Sequence, residues 1–132
     1  MQQVLNTLQL FVCGASMLAA AMGTAVAQES EQYVQVAEIE VDAAQLDSYK
    51  AAVQEQIDAA IRKEPGVLAL YAISEQDDPT RVKVFEIYRD RSAYEAHLGS
   101  DHFKKYKATV EKMVKSLKLV QATPIALGAK TK

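Results

Sequence analysis

Two apolar runs, Val67–Glu75 (VLALYAISE) and Arg81–Tyr88 (RVKVFEIY), are separated only by Gln76-Asp77-Asp78-Pro79-Thr80. Five turn-forming residues can close an antiparallel hairpin but are too few for the crossover that parallel strands need. This hairpin constrains everything around it, because both runs are rich in large apolar residues. Val67–Glu75 is apolar on both faces apart from Tyr71 and Ser74. Arg81–Tyr88 sends Val82, Val84, Glu86 and Tyr88 one way and Lys83, Phe85 and Ile87 the other. Each face of the resulting sheet therefore needs a cover.

The segments on either side of the hairpin supply one cover. Before it, Tyr33–Val41 (YVQVAEIEV) alternates with the period of a strand, with Tyr33, Ala37, Ile39 and Val41 on one face. Asp42 then reads as a helix cap, with Gln45 as its capping-box partner. Leu46, Tyr49, Val53, Ile57, Ala60 and Ile61 follow at spacings of three and four, the stripe of an amphipathic helix. Lys63-Glu64-Pro65-Gly66 ends that helix: proline cannot continue it, and Gly66 is read as the residue that takes a positive φ.

After the hairpin, Arg89–Ser92 reads as a polar turn and Ala93–Leu98 as a short helix. Gly99 interrupts, and Ser100 caps a second helix whose stripe is Phe103, Tyr106, Val110, Met113, Val114 and Leu117. A last strand is expected within residues 117–127, from Leu119 to Leu127, with Pro124 placing it at an edge or bulge. The order is β-α-β-β-α-β, the α+β ferredoxin-like arrangement. Helices cover one face of such a sheet. The other is also apolar, so a homodimer with open sheet face against open sheet face is expected.

Charge is absent from the first 27 residues and present throughout the rest. Leu8–Met22 has the length and composition of a signal-peptide core, and Ala25-Val26-Ala27 is a cleavage site of small residues. The expectation is a signal peptide over residues 1–27, cleavage after Ala27, and a single domain over 28–132 in the periplasm or outside the cell. A mature chain so made carries no membrane segment. The leader lacks Lys and Arg, which leaves an uncleaved anchor as the alternative. Cys13 leaves with the peptide, so the mature chain holds no thiol or disulfide. A net charge of −2 gives no basic field for nucleic acid.

Four short motifs in the domain carry a resemblance. Glu64-Pro65-Gly66-Val67-Leu68, Phe85-Glu86-Ile87-Tyr88, Ala93-Tyr94-Glu95-Ala96-His97-Leu98 and Ser100-Asp101-His102-Phe103 follow in order. Together they resemble the antibiotic biosynthesis monooxygenase domain, over about residues 33–115. The resemblance implies a dimeric α+β barrel. It also implies oxygenation of a quinol or polyphenolic ring by O₂ without metal or flavin, with the quinol monooxygenases as the most similar branch. By position, His97 matches the family's helix histidine, His102 and Phe103 its S-x-H-F pair, and Tyr94 a tyrosine that some members keep near the substrate. Tyr88 stands where the family usually has tryptophan. The haem-degrading relatives of the same fold keep an Asn, a Trp and a His at positions that fall near Glu38 or Ile39, at Tyr88 and near Lys107; none is matched.

A cofactor-free oxygenation needs a base that titrates near neutrality, donors for a phenolate and a dry cavity. Imidazole suits the first, and the mature chain has only His97 and His102, five apart across Gly99-Ser100. They reach one site only if that break bends the chain. His97 is read either as base or donor, or as a buried histidine bonded to a backbone carbonyl. His102 is read as a site residue, or as an exposed or capping residue of a first turn. Glu86 is read as orienter of His97, as an alternative base, or as an edge carboxylate paired with a cation. Tyr71, Tyr88, Tyr94, Phe103 and Tyr106 are read as the wall that binds an aromatic substrate, or as plain core. Two histidines without cysteine, and without H-x-x-E or H-x-H spacing, fall short of a metal set. The primary expectation is thus a quinol-type monooxygenase without cofactor. The alternatives are a non-catalytic dimeric module for a small ligand and an isomerase of a small metabolite.

Overall fold

The computed structural model describes residues 31–131, so the expected leader and its cleavage site lie outside the described residues. Seven elements follow in chain order. These are β1 (Tyr33–Val41), α1 (Leu46–Lys63), β2 (Val67–Ser74), β3 (Arg81–Tyr88), α2 (Arg91–Leu98), α3 (Asp101–Val110) and β4 (Val114–Ala122). The strands form one antiparallel sheet in the order β2-β3-β1-β4, the ferredoxin-like topology expected. Among the described residues no helix is long and apolar enough to cross a membrane.

Register decides which residues meet. Ala37 lies opposite Val84 and Leu119, Ile39 opposite Val82 and Leu117, and Gln35 opposite Glu86. These residues face the helices. Ala37, Ile39 and Val41 of β1 and Val82 and Val84 of β3 pack on Tyr49 and Val53 of α1 and on Val110 of α3. A second cluster joins Ala60 at the end of α1 to Val67, Leu70, Tyr88 and Ala93. The other face carries Val36 opposite Phe85 and Phe85 opposite Tyr71. Tyr71, Ile73 and Phe85 stay 58%, 52% and 41% exposed there.

Several local expectations are corrected. The second helix after the hairpin ends at Val110, not near Leu117, and Val114 and Leu117 belong to β4, which runs Val114–Ala122 instead of Leu119–Leu127. The reason is β1, whose outer edge would otherwise leave a row of backbone groups unpaired. The stretch from Val114 fills that edge, held at its start by the Asp42 N–H donating to the Met113 carbonyl at 2.8 Å. Pro124 then falls just beyond the strand.

The helix α2 begins at Arg91, because Asp90 accepts the Ala93 N–H at 2.8 Å and caps it. Asp42 also caps, but through the Ala44 N–H and ahead of a short 3-10 turn; Gln45 makes no cap bond. Finally, Gly66 is required for room and not for a positive φ. A Cβ there would stand 2.5 Å from the Ala93 Cβ, since α2 packs directly on the start of β2.

Candidate active site

The sheet's helix-facing surface and the inner faces of α1, α2 and α3 enclose a cavity of about 610 Å³. Ala37, Ile39, Leu70, Val84, Leu98 and Phe103 make it largely apolar. On the β4 side Leu117 and Leu119 border it and remain half-exposed, because no helix covers that edge. Polar atoms enter the wall at Gln35, Gln56, Glu86, Tyr94 and Tyr106, and the exposed Lys107 and Glu111 also border it.

Glu86 is the charged group of the sheet wall. Strand alternation points it toward the helices, and register sets it between Gln35 of β1 and Leu70 of β2. The Gln35 Nε2 donates to Glu86 Oε2 at 2.7 Å, and the Tyr88 hydroxyl donates to Glu86 Oε1 at 3.1 Å. Burial raises the Glu86 carboxyl above the ordinary carboxylate range, outweighing those two donors and the nearby His97, which act the other way. Burial, then the neighbouring Glu86, pushes the Tyr88 phenol far up, so it stays a neutral donor.

An aromatic chain backs this wall. Tyr33 stacks on Tyr94 with ring centroids 4.4 Å apart, and Tyr88 meets Tyr94 edge-on at 5.3 Å. Tyr88 then packs against His97 at 5.4 Å, and His97 against Phe103 at 4.7 Å. The hydroxyl of Tyr106, on the far wall, lies 3.0 Å from that of Tyr49, and burial raises both phenols.

The break between α2 and α3 does bend the chain. The Ser100 hydroxyl donates to the His97 carbonyl at 2.7 Å and accepts the Phe103 N–H at 3.3 Å, clamping the corner. Both histidines thereby turn to Glu64, which ends α1 in the extended backbone that a following proline demands. His97 Nδ1 and His102 Nε2 each lie 2.7 Å from Glu64 Oε2. The other His97 nitrogen, Nε2, lies 3.0 Å from Gln56 Nε2. An amide nitrogen only donates, so His97 Nε2 accepts and its proton sits on Nδ1, directed at Glu64.

The residues expected at a site thus divide. Glu86, Tyr94, Phe103 and Tyr106 line the cavity. His97 and Tyr88, 1% and 0% exposed, lie directly behind its wall. His97 is buried as one reading had it, but its partners are Glu64 and Gln56, not a backbone carbonyl. His102 opens onto a separate depression with Gln56, Lys105 and Thr109. Tyr71 does not belong to the cavity: its position on β2 turns it to the uncovered face of the sheet.

Gln35, Gln56 and Glu64 were not among the expected site residues. Each had a signal: Gln35 occupies a core-facing place in the alternation of β1, and Gln56 sits in the apolar stripe of α1 beside Val53 and Ala60. Glu64 was masked by its role in ending the helix. The ligand count fails in the same way, because spacing rules do not see a carboxylate 33 residues from His97. Among the described residues, Glu64, His97 and His102 form one cluster able to hold a metal ion.

The model of the antibiotic biosynthesis monooxygenase family matches residues 32–109. A crystal structure named for that family from Bacteriodes thetaiotaomicron is 42% identical, spans 77% of this chain and 97% of its own, and superposes with a TM-score of 0.73. One from Nitrosomonas europaea, also so named, is 26% identical over 73% and 92%, with a TM-score of 0.69. A Mycobacterium tuberculosis structure at 21% identity, covering 75% and 100% with a TM-score of 0.67, shares the fold. No protein of curated function matches. With the family model spanning most of the domain and the fold agreeing throughout, the chain belongs to the antibiotic biosynthesis monooxygenase family.

Proposed function

We propose that this chain is a monooxygenase that oxidises a quinol or related phenolic ring with O₂, the substrate serving as the reductant. One observation carries the reading: a largely apolar cavity, wide enough for an aromatic ring, whose sheet wall presents a single carboxyl raised by burial. Glu86 Oε2 or Oε1 takes the proton of the substrate hydroxyl. The electron-rich anion passes an electron to O₂, and the radical pair combines into a carbon–oxygen bond. One oxygen atom stays on the ring, the other leaves as water, and the quinol ends as a hydroxyquinone. Gln35 and Tyr88 hold the carboxyl in place, and Tyr94 and Phe103 flank the ring.

His97 then acts as a positioning residue. It does not line the cavity, but it packs on Tyr88 and Phe103 and holds Gln56. The test is oxygen uptake with a panel of hydroquinones. Loss of a general base costs about 10²–10⁴ in rate, so Glu86→Gln is expected to lose that much. Uptake by the wild type no greater than by Glu86→Gln overturns the reading. Thermal stabilisation by the same compounds without uptake replaces it with a binding module.

We propose further that a second copy covers the uncovered sheet face. The support is the half-exposed cluster of Tyr71, Ile73 and Phe85, an apolar surface of a kind that soluble monomers seldom show.

A further inference from the structure

Glu64 and His102 have no part in the proposed oxidation, His97 enters it only as a positioning residue, and none of the three lines the larger cavity. They come from three separate elements: the end of α1, the last turn of α2 and the first turn of α3. Their ligand-capable atoms all lie within 4.8 Å of one another, with His97 1% and the other two side chains only 12–14% exposed. Two imidazole nitrogens and one carboxylate, brought together at a packed junction, are a donor set that zinc takes when it leaves one position for water. We propose that these three side chains bind a divalent transition metal of the zinc class.

The geometry needs a small opening. Tetrahedral ligands at about 2.0 Å from zinc stand roughly 3.3 Å apart. The two nitrogens are now 2.7 Å from the carboxylate oxygen, so Glu64 must withdraw by a few tenths of an ångström, and the imidazoles, within 4.8 Å of one another now, must come to the same spacing. It is free to do so at the end of a helix. The depression of about 350 Å³ that His102 and Gln56 line, with Ser48, Lys105 and Thr109, provides the entry and the place for a water ligand.

Metal binding also requires both imidazoles to move the proton that now faces Glu64 to the other ring nitrogen. Ligation through Nδ1 needs that nitrogen bare, so the His97 proton shifts to Nε2, which becomes a donor. Gln56 must then offer its carbonyl oxygen, and its amide turns over. Gln56 lines both the depression and the larger cavity. An ion on the three ligands therefore exchanges the two ends of an amide in the wall of the proposed substrate site. This inference does not rest on the proposed oxidation, since its test reads the metal and not turnover.

The experiment uses the untagged chain, stripped with a chelator and titrated with zinc chloride in a calorimeter, and with cobalt(II) in a spectrophotometer. The expected result is one zinc per chain, a raised melting temperature and the intense visible bands of four-coordinate cobalt. His102→Gln should weaken zinc binding by about tenfold or more, while Lys105→Ala, beside the depression but outside the ligand set, leaves it unchanged. Absence of stoichiometric zinc binding overturns the proposal. So does binding that His102→Gln does not weaken, or wild-type cobalt spectra showing only weak six-coordinate bands, which holds even if the variant fails to fold.

Discussion

Glu86 holds its carboxyl in a wall that disfavours the charge, and this has a measurable cost. Its folded-state pKa lies above that of the unfolded chain, so the native state holds the proton more tightly. The stability this gives is complete below the ordinary carboxylate range, about pH 4, and is lost as pH rises through the higher folded value. Glu86→Gln cannot titrate; its one amide oxygen accepts from the Tyr88 hydroxyl, and Gln35 must turn its own amide over to accept from the new Nε2–H. The wild type's unfolding free energy is therefore expected to fall relative to the variant's through that rise, so the difference between the two proteins shifts in the variant's favour with pH. Urea denaturation of both at stepped pH measures it, and parallel curves would show that burial of the carboxyl is not the cause. Glu86 was legible because a carboxylate interrupts an apolar alternation. Gln35 and Gln56 were legible only as polar residues at inward-facing places of β1 and α1, since an uncharged amide there does not show what it meets. The register of β1 on β3 and the packing of α2 on α1 reveal their partners.

The elements were legible to the extent that their period was unbroken. Both strands of the hairpin and the long helix α1 follow from alternation and stripe, and the structure agrees to within a residue at most of their ends. The third helix was over-extended because Val110, Met113, Val114 and Leu117 satisfy helical spacing, while the demand that decides the matter, the open edge of β1, is not local. Two predictions test the elements that carry the site. Asp90→Ala removes the cap of α2 and is expected to cost about 1 kcal/mol. Because the last turn of α2 carries His97, the loss should also loosen the corner at Ser100, visible as faster amide exchange at Phe103, whose N–H the corner holds. Gly66→Ala drives a methyl into Ala93, and neither carbon has a flexible chain to swing away. Overpacking of this kind costs about 1–3 kcal/mol, measured by denaturation. Restoration of the loss by Gly66→Ala combined with Ala93→Gly would identify that contact as its source.

At the scale of the whole molecule, the sheet has two unlike faces. One is covered by three helices except along β4 and holds the cavity; the other presents Tyr71, Ile73 and Phe85 with no covering element among the described residues. Phe85 sits at the middle of this second face, opposite Val36 on one side and Tyr71 on the other, so any partner that lies on the sheet must meet it. Its neighbour Glu86 points to the cavity, so a change at residue 85 alters the outer surface while leaving the cavity wall in place. Phe85→Glu is therefore expected to turn a dimer into a monomer, because a charge buried between two apolar sheets without a counter-ion cannot be accommodated. Light scattering after size-exclusion chromatography reads the mass directly. If the wild type already runs as a monomer at micromolar concentration, sheet-to-sheet pairing is wrong. If the variant remains a dimer, the interface lies elsewhere on the surface. A monomeric variant that keeps its secondary structure would go further. Hydroquinone uptake and zinc binding could then be measured on one chain alone, and a loss of uptake without loss of zinc would place the need for a partner at the cavity and not at the histidine corner.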